Sequence, residues 1–148
     1  MSSPENKDTT TFSNELTRLN NTEELQEYLR KLPNTRFCDR LDELSVKYKM
    51  TLSKIQAESD ITRSYFYEFA NGRRMPKKEH VIKIGIAMGV SLEELNELLK
   101  LAHHKELYPK KLEDAIIIFG IEKKLSAGQI DELLKAEGAS FRLNKWRA

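Results

Sequence analysis

Apolar positions recur every three or four residues along most of this chain, so the pattern predicts helices throughout. Leu25, Tyr28 and Leu32 follow Asn21 and Glu24, which resemble a capping box, and predict a helix over 22–32. Pro33 and Asn34 break it. Phe37, Leu41, Leu44 and Tyr48 then hold one face of a helix over about 35–49. Thr51 is placed to cap a short helix with Leu52 and Ile55 on its apolar edge, and Asp60 stands where the chain must turn. Thr62 is placed to cap a second short helix that sets Phe66 and Phe69 on one face. Gly72 stops this helix and Pro76 prevents it from resuming. Val81, Ile84, Gly85 and Met88 share a face of the next helix, and Gly89 breaks it. Ser91 and Glu94 form a capping box before the stripe of Leu92, Leu95, Leu98, Leu99 and Ala102. The expectation is a compact all-α domain of five helices between about 35 and 102.

The C-terminal third is patterned differently. Leu112, Ala115, Ile116, Ile117, Ile118, Phe119 and Ile121 surround a helix almost completely, which predicts burial on several sides. Pro109 suits the first turn of that helix. Ser126 and Gln129 form a third capping box before Ile130, Leu133 and Leu134, and Gly138 can end this last helix. Residues 110–137 thus read as a helical hairpin, which either covers the five-helix domain or meets another chain. The division expected is a flexible N-terminus and short helix over 1–34, the helical domain over 35–104, and a helical extension with a basic tail over 105–148. Polar residues 1–13 predict disorder. The tail from Phe141 to Arg147 mixes aromatics with bases, and either touches an anionic surface or anchors with Trp146 tucked against the domain.

Charge and chemistry narrow the function classes. The net charge of the 148 residues is only +2, yet from Thr62 to Lys83 six basic residues stand against two acids. That local excess is either a solvated face or a phosphate-contacting surface. No apolar run is long enough to span a bilayer, and the N-terminus lacks the basic and apolar regions of a signal peptide. The single cysteine, Cys38, excludes an internal disulfide and a cysteine-based zinc cluster. These points favour the cytoplasm. Cys38 reads as structural, and adjacent His103 and His104 diverge by about 100° on a helix, unsuited to one metal. With no glycine-rich phosphate loop, metal set or spaced nucleophile–base pair, an enzyme, a cofactor and a metal are not expected.

A helix pair with a three- to four-residue corner is the helix-turn-helix unit, whose second helix enters a DNA major groove. Residues 51–95 resemble the lambda-repressor-like, or Cro/XRE-type, family: Thr51 and Ile55 in its second helix, Ile61 and Thr62 after the turn, Phe66 and Phe69 in the recognition helix. Gly72 and Pro76 match its Gly-x-x-x-Pro ending, and Val81, Ile84, Met88 and 89–95 resemble its last two helices. Three positions depart from the family pattern: Leu52 replaces a frequent glutamine, Gln56 a small residue, and Asp60 the turn glycine. The stretch 52–143 also resembles a bacterial subgroup with an extra C-terminal helical segment, associated with protein kinases.

The resemblance implies a sequence-specific DNA-binding transcriptional regulator with a recognition helix over about 62–71. Thr62, Arg63, Ser64 and Tyr67 would face the groove, with Arg63 the candidate for a guanine edge. Arg73, Arg74, Lys77 and Lys78 would grip phosphates. Double-stranded DNA is the partner implied; one such unit buries too little for tight specific binding, so a second copy is expected too, with the apolar 112–134 helices as its candidate surface. The alternative is a protein-interaction adaptor on the same fold, using the aromatic run Tyr65 to Phe69 to regulate a signalling partner such as a protein kinase.

Overall fold

The computed structural model describes residues 14–30 and 36–144. The regular structure among them is helical. The expected disorder of 1–13, the end of the first helix at 31–32 and the placement of Trp146 lie outside the described residues. The chain divides into two compact units, Met1–Thr35 and Arg36–Ala148.

In the first unit a helical turn at 14–17 precedes α1 (Thr22–Arg30). The Asn21 side chain accepts from the Glu24 N–H at 2.8 Å, as a capping box requires. The return bond closes one residue early, because the Glu24 carboxylate accepts from the Asn20 N–H.

The second unit holds α2 (Phe37–Lys47), α3 (Leu52–Ser59), α4 (Arg63–Ala70), α5 (Lys78–Met88), α6 (Leu92–Leu101), α7 (Leu112–Glu122) and α8 (Ala127–Ala136). α2 packs on α4 and α6, α3 on α4 and α5, and α5 on α6. The expected stripe of α2 is inward, with Phe37, Leu41 and Leu44 buried and Tyr48 partly so. Cys38 is buried beside it, a packed thiol. Thr51 caps α3 by accepting from the Lys54 N–H at 3.1 Å. Both further capping boxes, Ser91 with Glu94 and Ser126 with Gln129, close reciprocally.

Glu94 does more than cap. Its buried carboxylate also accepts from Lys47 and from the Tyr48 hydroxyl, fastening the end of α2 to the start of α6. Burial pushes the Glu94 carboxyl up, but these hydrogen bonds and that of the Ser91 N–H outweigh it and hold the pKa down at about 2.

The centre of the core is α5, not α7. Val81, Ile82 and Ile84 are fully buried, and Glu79, His80 and Lys83 are buried with them. α7, for all its isoleucines, is covered mainly by α6 and α8, with Ile116 and Ile118 only partly buried. It buries Asp114, Ile117, Gly120 and Ile121, while Leu112 and Phe119 stay 53% and 50% exposed. The expectation of burial on several sides therefore fails for α7. A Cβ on Gly120 would collide with Ile130, so this glycine sets how closely α7 and α8 approach. Lys124, in the turn between them, donates to the Gly89 carbonyl at 2.9 Å, placing its charge on the C-terminal end of α5.

Pro109 lies three residues before α7, in a turn closed by the Lys111 N–H and the Tyr108 carbonyl, and not in its first turn. Asp114 explains the offset: its carboxylate accepts from the Tyr108 N–H and pulls the approach onto the helix start. Gly138 ends α8 at a φ of 81°. The tail returns to α8, where the Asp131 carboxylate accepts from the N–H groups of Leu143 and Asn144 at 2.6 and 3.0 Å. Leu143 is the buried anchor.

Candidate nucleic-acid interface

The site is built by the turn between α3 and α4. Asp60 takes the left-handed conformation, φ 58° and ψ 38°, where a glycine would be unstrained. Two side chains hold its neighbourhood. Gln56 Nε2 donates to the Ile61 carbonyl at 2.7 Å, and Lys83 Nζ, from α5, donates to the Asp60 carbonyl at 3.3 Å. Ile61 seals the turn from below at 5% exposure. The corner is thus fixed by polar bonds to its carbonyls, and α4 leaves it at a set angle.

α4 buries Phe66, Phe69 and Ala70 and turns its other side outward. Thr62, Arg63 and Ser64 are exposed at its start, while Tyr67 and Glu68 are half-buried. Thr62 holds the N-cap position, but its hydroxyl accepts no bond from the helix, contrary to expectation. Its φ of −57° departs from the −73° to −74° shared by Thr51, Ser91 and Ser126, which do cap. The first-turn N–H groups of α4 are therefore left without a side-chain cap. Tyr65 is packed, edge-on to Phe69 with centroids 4.7 Å apart and 5.0 Å from the His80 ring. Tyr67 meets Phe66 edge-on at 5.4 Å.

The helix ends as the sequence predicts. Gly72 sits at φ 76°, its N–H donating to the Phe69 carbonyl and that of Arg73 to the Glu68 carbonyl, the two bonds of a Schellman end. The loop that follows is pinned from the segment just after α6, as His104 Nε2 lies 2.8 Å from the carbonyl oxygen of buried Pro76.

The basic residues separate into two groups. Arg63, Arg73 and Lys77 are exposed, and among the described residues none of their side chains makes a hydrogen bond or ion pair. Arg74 and Lys78 are engaged. Arg74 pairs with Glu68 at 2.6 Å and lies over the Tyr65 ring. Lys78 donates to buried Asp114 at 2.7 Å, lies 3.6 Å from Glu113, and covers the Phe141 ring. Its ammonium is turned toward the hairpin, away from the role expected of it as a free phosphate contact.

Sequence reasoning missed the residues that hold the turn. Gln56 could have been found, since it stands where the family pattern has a small residue. Lys83 carried a signal too, as a lone charge inside an apolar helix face. Among the described residues no cluster of His, Cys, Asp and Glu is arranged to hold a metal, and no helix is long and apolar enough to cross a membrane.

Comparison with known proteins places the fold. Residues 43–95, from the second half of α2 into α6, match the family model described as Helix-turn-helix, of the Cro/C1, XRE-like type. The all-helical architecture is that of the lambda-repressor-like fold. The family is one of DNA-binding regulators and not typically of enzymes. No curated protein and no solved structure matches the chain.

Proposed function

We propose that this Cro/C1-type helix-turn-helix domain is a sequence-specific DNA-binding transcriptional regulator that reads the major groove with α4. The observation that carries the reading is the exposed start of α4. Thr62, Arg63 and Ser64 stand clear of the core on a helix whose angle is fixed by Gln56 and Lys83. Arg63 has the length and the fork to pair with a guanine edge. The uncapped first turn offers N–H groups to a phosphate, and Ser64 and Tyr67 flank it. Arg73 and Lys77 supply unpaired charge for the backbone beyond the helix. Exposed Lys54, near the start of α3, joins them. Arg74 joins only by leaving Glu68, and Lys78 serves the fold. A DNA partner agrees with the cytoplasmic compartment favoured by the sequence.

The competing reading, a protein-interaction adaptor, draws on the aromatic run of α4. It is weakened by Tyr65, whose ring packs against Phe69 and His80. Selection of bound fragments from a random duplex library, followed by salt titration, separates the two. A regulator enriches one motif, and Arg63→Ala relaxes it at one position at a cost of about 1–3 kcal/mol. Binding without enrichment, or none at low salt, overturns the proposal.

A further inference from the structure

Lys77 carries an exposed side chain on a backbone that is held from both sides. Among the described residues that side chain makes no hydrogen bond or ion pair. The Lys77 carbonyl accepts from the N–H groups of His80 and Val81, each at 3.0 Å, in the first turn of α5. The peptide before it carries the Pro76 carbonyl, which meets His104 Nε2 at 2.8 Å. A carbonyl oxygen only accepts, so Nε2 carries the proton and donates. Proline also fixes its own φ, which leaves the backbone entering Lys77 little to vary.

His104 is itself held in place. α6 ends through His103 in the left-handed conformation, φ 66°, and the His104 N–H returns to the Leu99 carbonyl at 2.8 Å. Three residues on, buried Leu107 donates its N–H to Asn96 Oδ1 at 2.9 Å. Asp114 then accepts from the Tyr108 N–H and from Lys78, the neighbour of Lys77. The stretch 103–114 is thus laced to α6 behind it and to the start of α5 in front. His104, Leu107 and Asp114 all lie beyond the residues 43–95 that match the family model. Arg73, by contrast, is held by the end of α4 itself, its N–H donating to the Glu68 carbonyl at 2.9 Å.

We infer that His104 is a positioning residue for the phosphate grip: through the Pro76 carbonyl it holds Lys77 ready to meet the DNA backbone. This rests on the DNA-binding reading of α4. A loop that must be ordered as DNA arrives loses conformational entropy at that moment. A loop ordered beforehand does not, and the same contact then gives more affinity. The segment beyond the shared domain thereby strengthens DNA binding without touching DNA.

The test is a double-mutant cycle in DNA affinity, using the full chain and a duplex that the parent protein selects from a random library. His104→Ala should weaken binding by about three- to tenfold with circular dichroism unchanged. Lys77 still reaches its phosphate in that variant, so the slope of log K against log salt should stay at the parent value. In a Lys77→Ala background, His104→Ala should change affinity by less than about twofold, because the residue it positions has lost its charge. His104→Gln, whose amide nitrogen can take the place of Nε2, should bind within about twofold of the parent. Where His104→Ala does not fold, His104→Asn, too short to reach Pro76, takes its place in the cycle. Equal losses with and without the Lys77 side chain overturn the inference, since His104 would then act on the fold at large. So does a His104→Gln protein that binds as weakly as His104→Ala, or a His104→Ala protein that binds as tightly as the parent. A parent that selects no duplex overturns the DNA reading and this inference with it. A parent that selects one, with losses that simply add, overturns this inference alone.

Discussion

The side-chain amide of Gln56 donates to the carbonyl of Ile61 at 2.7 Å, across the corner between α3 and α4. The bond replaces a solvating water on a carbonyl whose residue is buried, and it ties the two helices together. Small residues at this place in the family pattern let the helices touch directly; here a longer side chain bridges them. Gln56→Ala should therefore cost about 1–2 kcal/mol, because it leaves the carbonyl unmade and opens a gap. Urea unfolding gives the cost, and amide exchange should rise first at the start of α4. An unchanged unfolding midpoint would show that the bond carries no net stability.

Glu94 makes a prediction about acid. Its ordinary pKa of 4.5 is lowered to about 2 in the folded protein. A carboxylate depressed by folding stabilises the native state above its unfolded pKa and loses that contribution as pH falls through the folded one. Glu94→Gln should thus be less stable than the parent at neutral pH, by about 1–2 kcal/mol. The two curves should converge as pH falls from 4.5 toward about 2. Unfolding midpoints measured across that window check it. A difference that persists unchanged at the acid end would mean the side chain acts by packing and not by charge.

Local devices were legible in the sequence and long-range ones were not. Thr51, Ser91, Ser126 and Gly72 announce helix ends because the bonds they make lie within a turn of them. The order of the helices followed from periodicity for the same reason. Burial does not follow, since it depends on what the fold brings alongside. The stretch 112–121 reads as the most apolar, yet α5 holds the centre, enclosing Glu79, His80 and Lys83 among its aliphatic neighbours. Lys78 looked like one more base in a basic run; Asp114, 36 residues away, claims it. Thr62 shows the limit even of local signals, since a shift in φ leaves a good capping residue without its bond.

Gly72 closes α4 in a conformation that favours glycine, and it also faces Cys38. A Cβ there would lie 3.1 Å from the Cys38 Sγ. Gly72→Ala should cost more than the about 1 kcal/mol expected of the left-handed conformation alone, because the buried thiol must also give way. Adding Cys38→Ala should recover the excess and leave the conformational part. Thermal melts of the single and double variants form the cycle. If the two changes simply add, the contact between Gly72 and Cys38 is not strained by the methyl group.

Neighbouring Lys77 and Lys78 should separate folding from binding. Lys77 is exposed and, among the described residues, its side chain makes no ion pair or hydrogen bond. Lys78 is the partner of buried Asp114, whose other oxygen accepts from the Tyr108 N–H. Removing Lys78 leaves a buried carboxylate without its cation, at a cost of about 1–3 kcal/mol. It should loosen α7 from the start of α5 while leaving the salt dependence of DNA binding unchanged. Lys77→Ala should alter stability by less than about 0.5 kcal/mol, yet flatten the slope of log K against log salt by about 1. Denaturation and salt-titrated binding on both variants read the two effects independently. If Lys78→Ala flattened the salt slope at unchanged stability, its ammonium would belong to the DNA face and the bridge to Asp114 would be incidental.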